Sequence, residues 1–196
     1  MRVLLHICCA ACFIGAGKSL DEEGIEVEGL FYNPNIHPLL EFRKRIKAMK
    51  VLLESVSTPV TIDEGYGLDL FMREVHRPEL GIRCVRCYEL RLRRTADIAR
   101  ERKADAFTTT LLISPHQMHD TIRCVGERVG EEAGVPFLYR DFRALDREAH
   151  EEAKRRHLYL QQYCGCCFSE YERYRDTARE LYKPDIARRH SDEETA

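Results

Sequence analysis

The sequence predicts an α/β fold: one domain with a mainly parallel sheet of about five strands and helices on both faces. Three observations point there. Short apolar runs recur along the chain, as expected of strands buried on both sides. Stretches with apolar residues at helical spacing separate them, so strand and helix alternate. At 196 residues the chain can build one sizeable core, and no repeat or linker divides it.

Val3 to Ile7 is the first strand, and it runs straight into Cys8, Cys9 and, three residues later, Cys12. Adjacent strand residues point to opposite faces, so Cys8 and Cys9 act together only where the backbone turns. Open α/β sheets hold ligands just beyond the carboxyl ends of their strands, which makes this turn one wall of an active site. Gly15-Ala16-Gly17-Lys18-Ser19 then suggests a phosphate-binding loop, but the full pattern needs glycine where Cys12 stands. The stretch instead opens a helix ending near Gly24.

Ile25 to Tyr32 is the second strand, ending in the loop Tyr32-Asn33-Pro34-Asn35-Ile36-His37-Pro38. Such a loop at a strand's carboxyl end is a turn device or a binding loop. Leu39 to Val56 is an amphipathic helix, Pro59 to Ile62 a third strand ending at Asp63, and Leu68 to His76 another helix. Pro78 to Gly81 breaks the pattern ahead of Cys84-Val85-Arg86-Cys87, which opens a long helix through Arg102. Ala106 to Leu112 is a strand carrying Thr108, Thr109 and Thr110. Ser114-Pro115 starts a helix to about Ala133, with a hydroxyl N-cap and proline at the first helical position. Phe137 to Tyr139 is a last short strand ending at Asp141. A C-terminal helical segment, about 145–182, carries Cys164-Gly165-Cys166 and gives way to a frayed tail.

No stretch approaches the roughly 20 apolar residues needed to span a bilayer, and the N-terminus lacks a secretory pattern, so a cytoplasmic protein is expected. The net charge of −2 excludes a global attraction to nucleic acid. Arg83, Arg86, Arg91, Arg93 and Arg94 cluster locally, which on charge alone describes a solvated helix face.

Nine cysteines without an export signal point to metal or redox chemistry rather than structural disulfides. Cys124 stands alone and reads as core. Cys84-x-x-Cys87 has metal-ligand spacing, and a helix N-terminus favours its thiolates. With Cys8 and Cys9 it completes a four-cysteine site that suits zinc or a [4Fe–4S] cluster equally. Cys164-Gly165-Cys166 fits either a small, strained, reducible disulfide or a share in a zinc site.

Taken with the loops between them, these groups resemble the QueH-type epoxyqueuosine reductases. The matching pieces are Leu4-Leu5-His6-x-Cys8-Cys9-x-x-Cys12, Tyr32 to Pro38, Arg83-Cys84-x-x-Cys87-Tyr88-x-x-Arg91-Leu92, Phe107-Thr108-Thr109-Thr110-Leu111-x-x-Ser114 and Tyr163-Cys164-Gly165-Cys166-x-x-Ser169. Ala10-Ala11 departs from the small residue and proline common in relatives. The resemblance implies a fold of the PP-loop/HUP nucleotide-binding type and the last step of queuosine synthesis. In that step the epoxide of epoxyqueuosine, at a tRNA wobble position, is reduced without cobalamin. It implies a [4Fe–4S] cluster on Cys8, Cys9, Cys84 and Cys87, with Cys164 and Cys166 as a redox-active pair. A second metal ion, iron or zinc, is implied beside the cluster, for which Asp141 is the candidate carboxylate ahead of Asp63. Tyr32, Asn33, His37 and Arg91 are candidate contacts to the base, sugar or phosphates, and an unidentified donor supplies electrons. Two alternatives are a PP-loop-type tRNA-modifying enzyme, whose phosphate loop the cysteines displace, and a zinc-stabilised tRNA-binding module.

Overall fold

The computed structural model describes residues 1–75 and 79–177. The expected tail, the end of the last helix, His76 and Pro78 lie outside the described residues. Four parallel strands form the sheet in the order β3-β2-β1-β4: β1 (Arg2–His6), β2 (Glu26–Phe31), β3 (Val60–Ile62) and β4 (Ala106–Thr109). Leu5 of β1 lies opposite Gly29 on one side and Thr108 on the other. Its central position explains why Val3, Leu4, Leu5 and Ile7 are all apolar and buried.

The sheet has four strands where about five are predicted. Phe137 makes only a single parallel bridge, to Phe107. Pro136 lacks a donor, and Asp141 folds back on the Arg143 N–H (3.0 Å), which leaves no length for a strand between them.

Seven helices surround the sheet among the described residues: α1 (Ala10–Glu22), α2 (Leu39–Leu53), α3 (Leu68–Glu74), α4 (Leu80–Glu101), α5 (His119–Ala133), α6 (Asp146–Arg155) and α7 (Cys167–Tyr174). Right-handed crossovers from β1 to β2 to β3 place α1 and α2 on one face, and the reversed step to β4 places α4 on the other. The packing agrees: α1 touches α2 and α6, while α4 touches α3 and α5. Gly15 permits the α1–α6 approach, since a Cβ there would lie 2.5 Å from Ile113 Cδ1 and 3.0 Å from Ala149 Cβ.

Helix starts moved most. Helix α1 begins at Ala10, so Gly15 to Ser19 lie within it, with their amides committed to the helix rather than to a phosphate. Helix α5 begins at His119, because Ser114 accepts from the His116 N–H (3.3 Å) in a turn ahead of it. The strand expected over Ala106–Leu112 stops at Thr109, where the chain tightens into a 3-10 turn over Thr110–Ile113. Cys124, expected in the core, is exposed on α5.

Candidate active site

Winding reverses between β1 and β4, and the crevice at their carboxyl ends is where such sheets bind ligands. Two chain segments leave the sheet there and are tied together. The Cys8 N–H donates to Thr110 Oγ1 (2.9 Å), and that hydroxyl donates to Cys8 Sγ (3.2 Å). Cys9 is extended and caps α1, its sulfur accepting from the Cys12 N–H (3.3 Å). The turn places Cys8 Sγ 3.9 Å from Cys9 Sγ, and the Cys8, Cys9 and Cys12 sulfurs lie within 4.8 Å of one another. Two thiolates on one tetrahedral ion at about 2.3 Å would lie about 3.8 Å apart, so the Cys8–Cys9 spacing suits a thiophilic metal.

Underneath, His6 fixes both strand ends. Its Nε2–H donates to the Tyr32 carbonyl (3.0 Å), which leaves Nδ1 to accept from Thr109 Oγ1 (2.8 Å). Burial, helped by the Arg91 charge, lowers its pKa to about 4 and keeps it neutral.

Cys84 and Cys87 face the same region from the second turn of α4, not from its first residues as predicted. Burial therefore outweighs the helix terminus: the Cys84 thiol is pushed up, and Cys87 reaches about 12 despite the nearby Arg91. The loop holding Cys164 and Cys166 packs against the start of α4. Cys166 packs with Cys87, Phe71 and Val75, and the charges of Cys164 and Cys166 act on both Cys84 and Cys87. Arg91 lies in the field of one member of each cysteine group, Cys8, Cys87 and Cys164, while among the described residues the sulfurs gathered within 4.8 Å of one another are those of Cys8, Cys9 and Cys12. All nine cysteines are free thiols.

A dense set of bonds seats that loop. Buried Arg45 donates to the carbonyls of Tyr163 (3.0 Å) and Cys164 (3.1 Å) and is balanced by Glu41 (2.7 Å). The His37 N–H donates to the Gly165 carbonyl (2.7 Å), and Tyr163 Oη–H donates to the His37 carbonyl (2.6 Å). Gly165 has φ +130°, and a Cβ there would lie 3.1–3.2 Å from Ile36, Arg45 and Asn35, so glycine is required twice over. Gln161 Nε2 donates to Cys9 Sγ (3.0 Å), joining this segment to the first cysteine turn.

The charge balance bears on what the cysteine cluster could hold. Arg91 is 1% exposed, donates to Cys87 Sγ (3.2 Å) and the Cys87 carbonyl (3.1 Å), and has no acidic partner among the described residues. Its electrostatic neighbours are Cys87, Cys164, Tyr88 and Cys8. A buried cation needs a counter-charge, and only sulfurs stand ready. Without a metal, Cys8, Cys9 and Cys12 share their charge. Hydrogen bonds from Cys12 and Cys8 hold Cys9 well down, while Cys12 is pushed up by its bonds to Cys8 and Cys9. Cys8 is drawn down by Cys12, yet its bond to Cys9 and burial raise it to about 11. A thiophilic cation would release those protons and give Arg91 its anionic partner. The donor set fits a thiolate-bound metal or iron–sulfur group.

The remaining sequence candidates are placed differently from one another. Arg91, predicted as a phosphate contact, is buried among the sulfurs. Asn33 is 3% exposed and donates from Nδ2 to the Ile7 carbonyl (2.8 Å). His37, 4% exposed, packs on Tyr66 and Phe71 and meets Tyr66 Oη through Nδ1 (3.0 Å). Both residues are built into the loop rather than presented at its surface. Tyr32 is half-buried, within the fields of Asp63 and Arg94. Asp141 is an exposed turn residue paired with Arg143 (2.5 Å). Sequence reasoning gave no role to Gln161, Glu41 or Arg45. The Glu41–Arg45 spacing was a readable signal of pairing, but its burial was not.

The family model described as "Epoxyqueuosine reductase QueH" matches residues 3–172. The chain belongs to the QueH family. A relative from Dehalococcoides mccartyi, named epoxyqueuosine reductase QueH, is 38% identical over 173 residues, spanning 88% of this chain and 94% of the relative. One of the same name from Thermotoga maritima is 34% identical over 184 residues, 87% of this chain and 91% of its own. Another from Histophilus somni is 33% identical over 176 residues, covering 86% and 72%. The match extends over the QueH-type motifs at both ends of the site, from Cys8 to Ser169. Among the described residues, no helix is long and apolar enough to cross a membrane.

Proposed function

We propose that this protein reduces epoxyqueuosine to queuosine at the wobble position of tRNA, by a cobalamin-independent, two-electron deoxygenation in the cytoplasm. The observation that carries the reading is the buried, acid-free Arg91 surrounded by converging cysteines, in a chain of the QueH family. Cys8, Cys9, Cys84 and Cys87 would hold a [4Fe–4S] cluster. Cys12, the third sulfur of its cluster of thiols, is left for an additional iron or zinc ion. Asp141 could serve that ion only by leaving Arg143.

When bound, the metal centre supplies electrons singly and polarises the epoxide oxygen. The chain's own contribution is to hold charge and protons. Arg91 balances the thiolates, while the Thr110 hydroxyl and Gln161 amide donate to Cys8 and Cys9 sulfur. The Cys164/Cys166 dithiol releases two protons and two electrons as its S–S bond forms. The epoxide takes up two of each, leaving a carbon–carbon double bond and one water. An external donor, not identified, then reduces the disulfide.

The test is anaerobic purification, metal analysis and an absorption spectrum, followed by a direct assay on epoxyqueuosine-containing tRNA. Expected are about four irons and four sulfides per chain, bleaching on reduction, and a product nucleoside lacking one oxygen. One zinc per chain, no visible band after reconstitution and no conversion would favour the zinc-stabilised binding module. In a cluster-loaded Cys164→Ser/Cys166→Ser variant, normal turnover on chemical reductant would remove the dithiol from the chemical step.

A further inference from the structure

The crevice accounts for one nucleotide, but a tRNA brings a charged backbone on either side of it. The sequence points to the arginines of α4 for that contact, and the structure withdraws most of them. Arg83 and Arg91 are buried. Exposed Arg86 and Arg93, with Arg128 of α5, share Glu89 and Glu132 in one network of ion pairs at 2.6–3.5 Å, which leaves Arg94 as the exposed arginine of that cluster outside it.

Helix α2 differs. It starts at Leu39, directly after the loop that seats Cys164–Cys166, and its outer face carries Arg43, Lys47 and Lys50 at i, i+4 and i+7. These side chains stand in a row about 10 Å long. Arg43 and Lys47 are exposed and form no ion pair among the described residues, whereas Lys50 meets Glu64 (2.6 Å) at the far end. All three border a groove of about 480 Å³ also lined by Phe42, Ile46 and Tyr66. Tyr66 is hydrogen-bonded to His37 (3.0 Å), whose N–H holds the Gly165 carbonyl, so the groove adjoins the loop that seats Cys164–Cys166.

We propose that this face of α2 is the docking track for the tRNA phosphate backbone flanking the modified nucleotide, with Arg43 and Lys47 each contacting a phosphate. The proposal rests on the tRNA reading above. Unpaired cations give up no internal partner on binding, and phosphate contact fixes the register in which the base enters. The ion-paired arginines of α4 would first have to break their bonds to Glu89 and Glu132.

The experiment measures binding of a tRNA anticodon stem-loop to the full-length protein by fluorescence anisotropy from 50 to 200 mM salt. Arg43→Gln/Lys47→Gln is compared with Arg100→Gln/Lys103→Gln, an equal charge change at and just beyond the C-terminal end of α4. Losing two phosphate contacts lowers the slope of log affinity against log salt by about 1.4–1.8. The penalty of the α2 variant therefore shrinks about sevenfold or more between those salts, and the distal variant keeps the wild-type slope. On substrate tRNA, KM rises while kcat holds, and thermal unfolding is unchanged. A wild-type slope in the α2 variant, or an equal loss in the distal variant, overturns the docking track while leaving the tRNA reading standing. If the wild-type protein shows no salt-dependent binding, both fall together.

Discussion

Replacing Arg91 with methionine separates the two roles that a buried cation can have. The change keeps the length and apolar stem of the side chain and removes its charge. At 3.2 Å from Cys87 Sγ, a unit charge pair in an effective dielectric of about 20 is worth about 5 kcal/mol. Deleting one partner of a buried pair costs about 3–5 kcal/mol. Metal-loaded protein should therefore lose about 3 kcal/mol of binding free energy, a fall of roughly 100-fold in affinity. Metal-free protein should respond with the opposite sign. There Cys87 is a thiol held up near pKa 12, so Arg91 lacks a full counter-charge, and its removal leaves stability unchanged or raised. The assays are competition of a thiophilic metal against a chelator and thermal unfolding of the apoprotein. Arg91→Lys keeps the charge but cannot reach both Cys87 acceptors, and should fall between. Unchanged metal affinity in Arg91→Met, or an apoprotein destabilised as much as the metal-bound form, would refute the counter-charge argument.

Three further outcomes follow from the same geometry. Thr110→Val removes the acceptor of the Cys8 N–H and the donor to its sulfur. It should cost about 1–3 kcal/mol, read as a Tm lower by roughly 2–4 °C per kcal/mol. Gly165→Ala places a Cβ against Ile36, Arg45 and Asn35 at φ +130°. It should unseat the loop at a cost of about 1–3 kcal/mol and speed alkylation of buried Cys166, seen by mass spectrometry. His6 has its folded pKa lowered to about 4 from 6.5, so the unfolded chain binds the proton first. Its contribution is fully present above pH 6.5 and is lost as pH falls towards 4, the loss reaching about 2 kcal/mol at pH 5. Chemical denaturation at pH 7 and pH 5 measures this, and His6→Gln should flatten the difference.

The sequence by itself determined the alternation of strands and helices, the parallel sheet and the three cysteine groups, because burial on both faces and metal-ligand spacing are written in local patterns. It placed Cys8 and Cys9 correctly at a strand's end, since their adjacency forces a turn. Boundaries were less legible. The glycines before Lys18 looked like the opening of a helix, yet they lie inside α1 because α6 must approach there. A fifth strand failed because pairing depends on the length left between Pro136 and the Asp141 turn.

Only the tertiary structure decided which polar residues are surface and which are site. Arg91 and Arg93 are both arginines on one helix, two residues apart. One turns inward to Cys87, and the other turns outward to Glu89 and Glu132. Likewise, Thr110, Gln161 and Arg45 come to the cysteines from segments distant in the chain. Local pattern sets secondary structure, but a charge's role depends on how much water and which counter-charge surround it, and those are fixed only when the whole chain has packed.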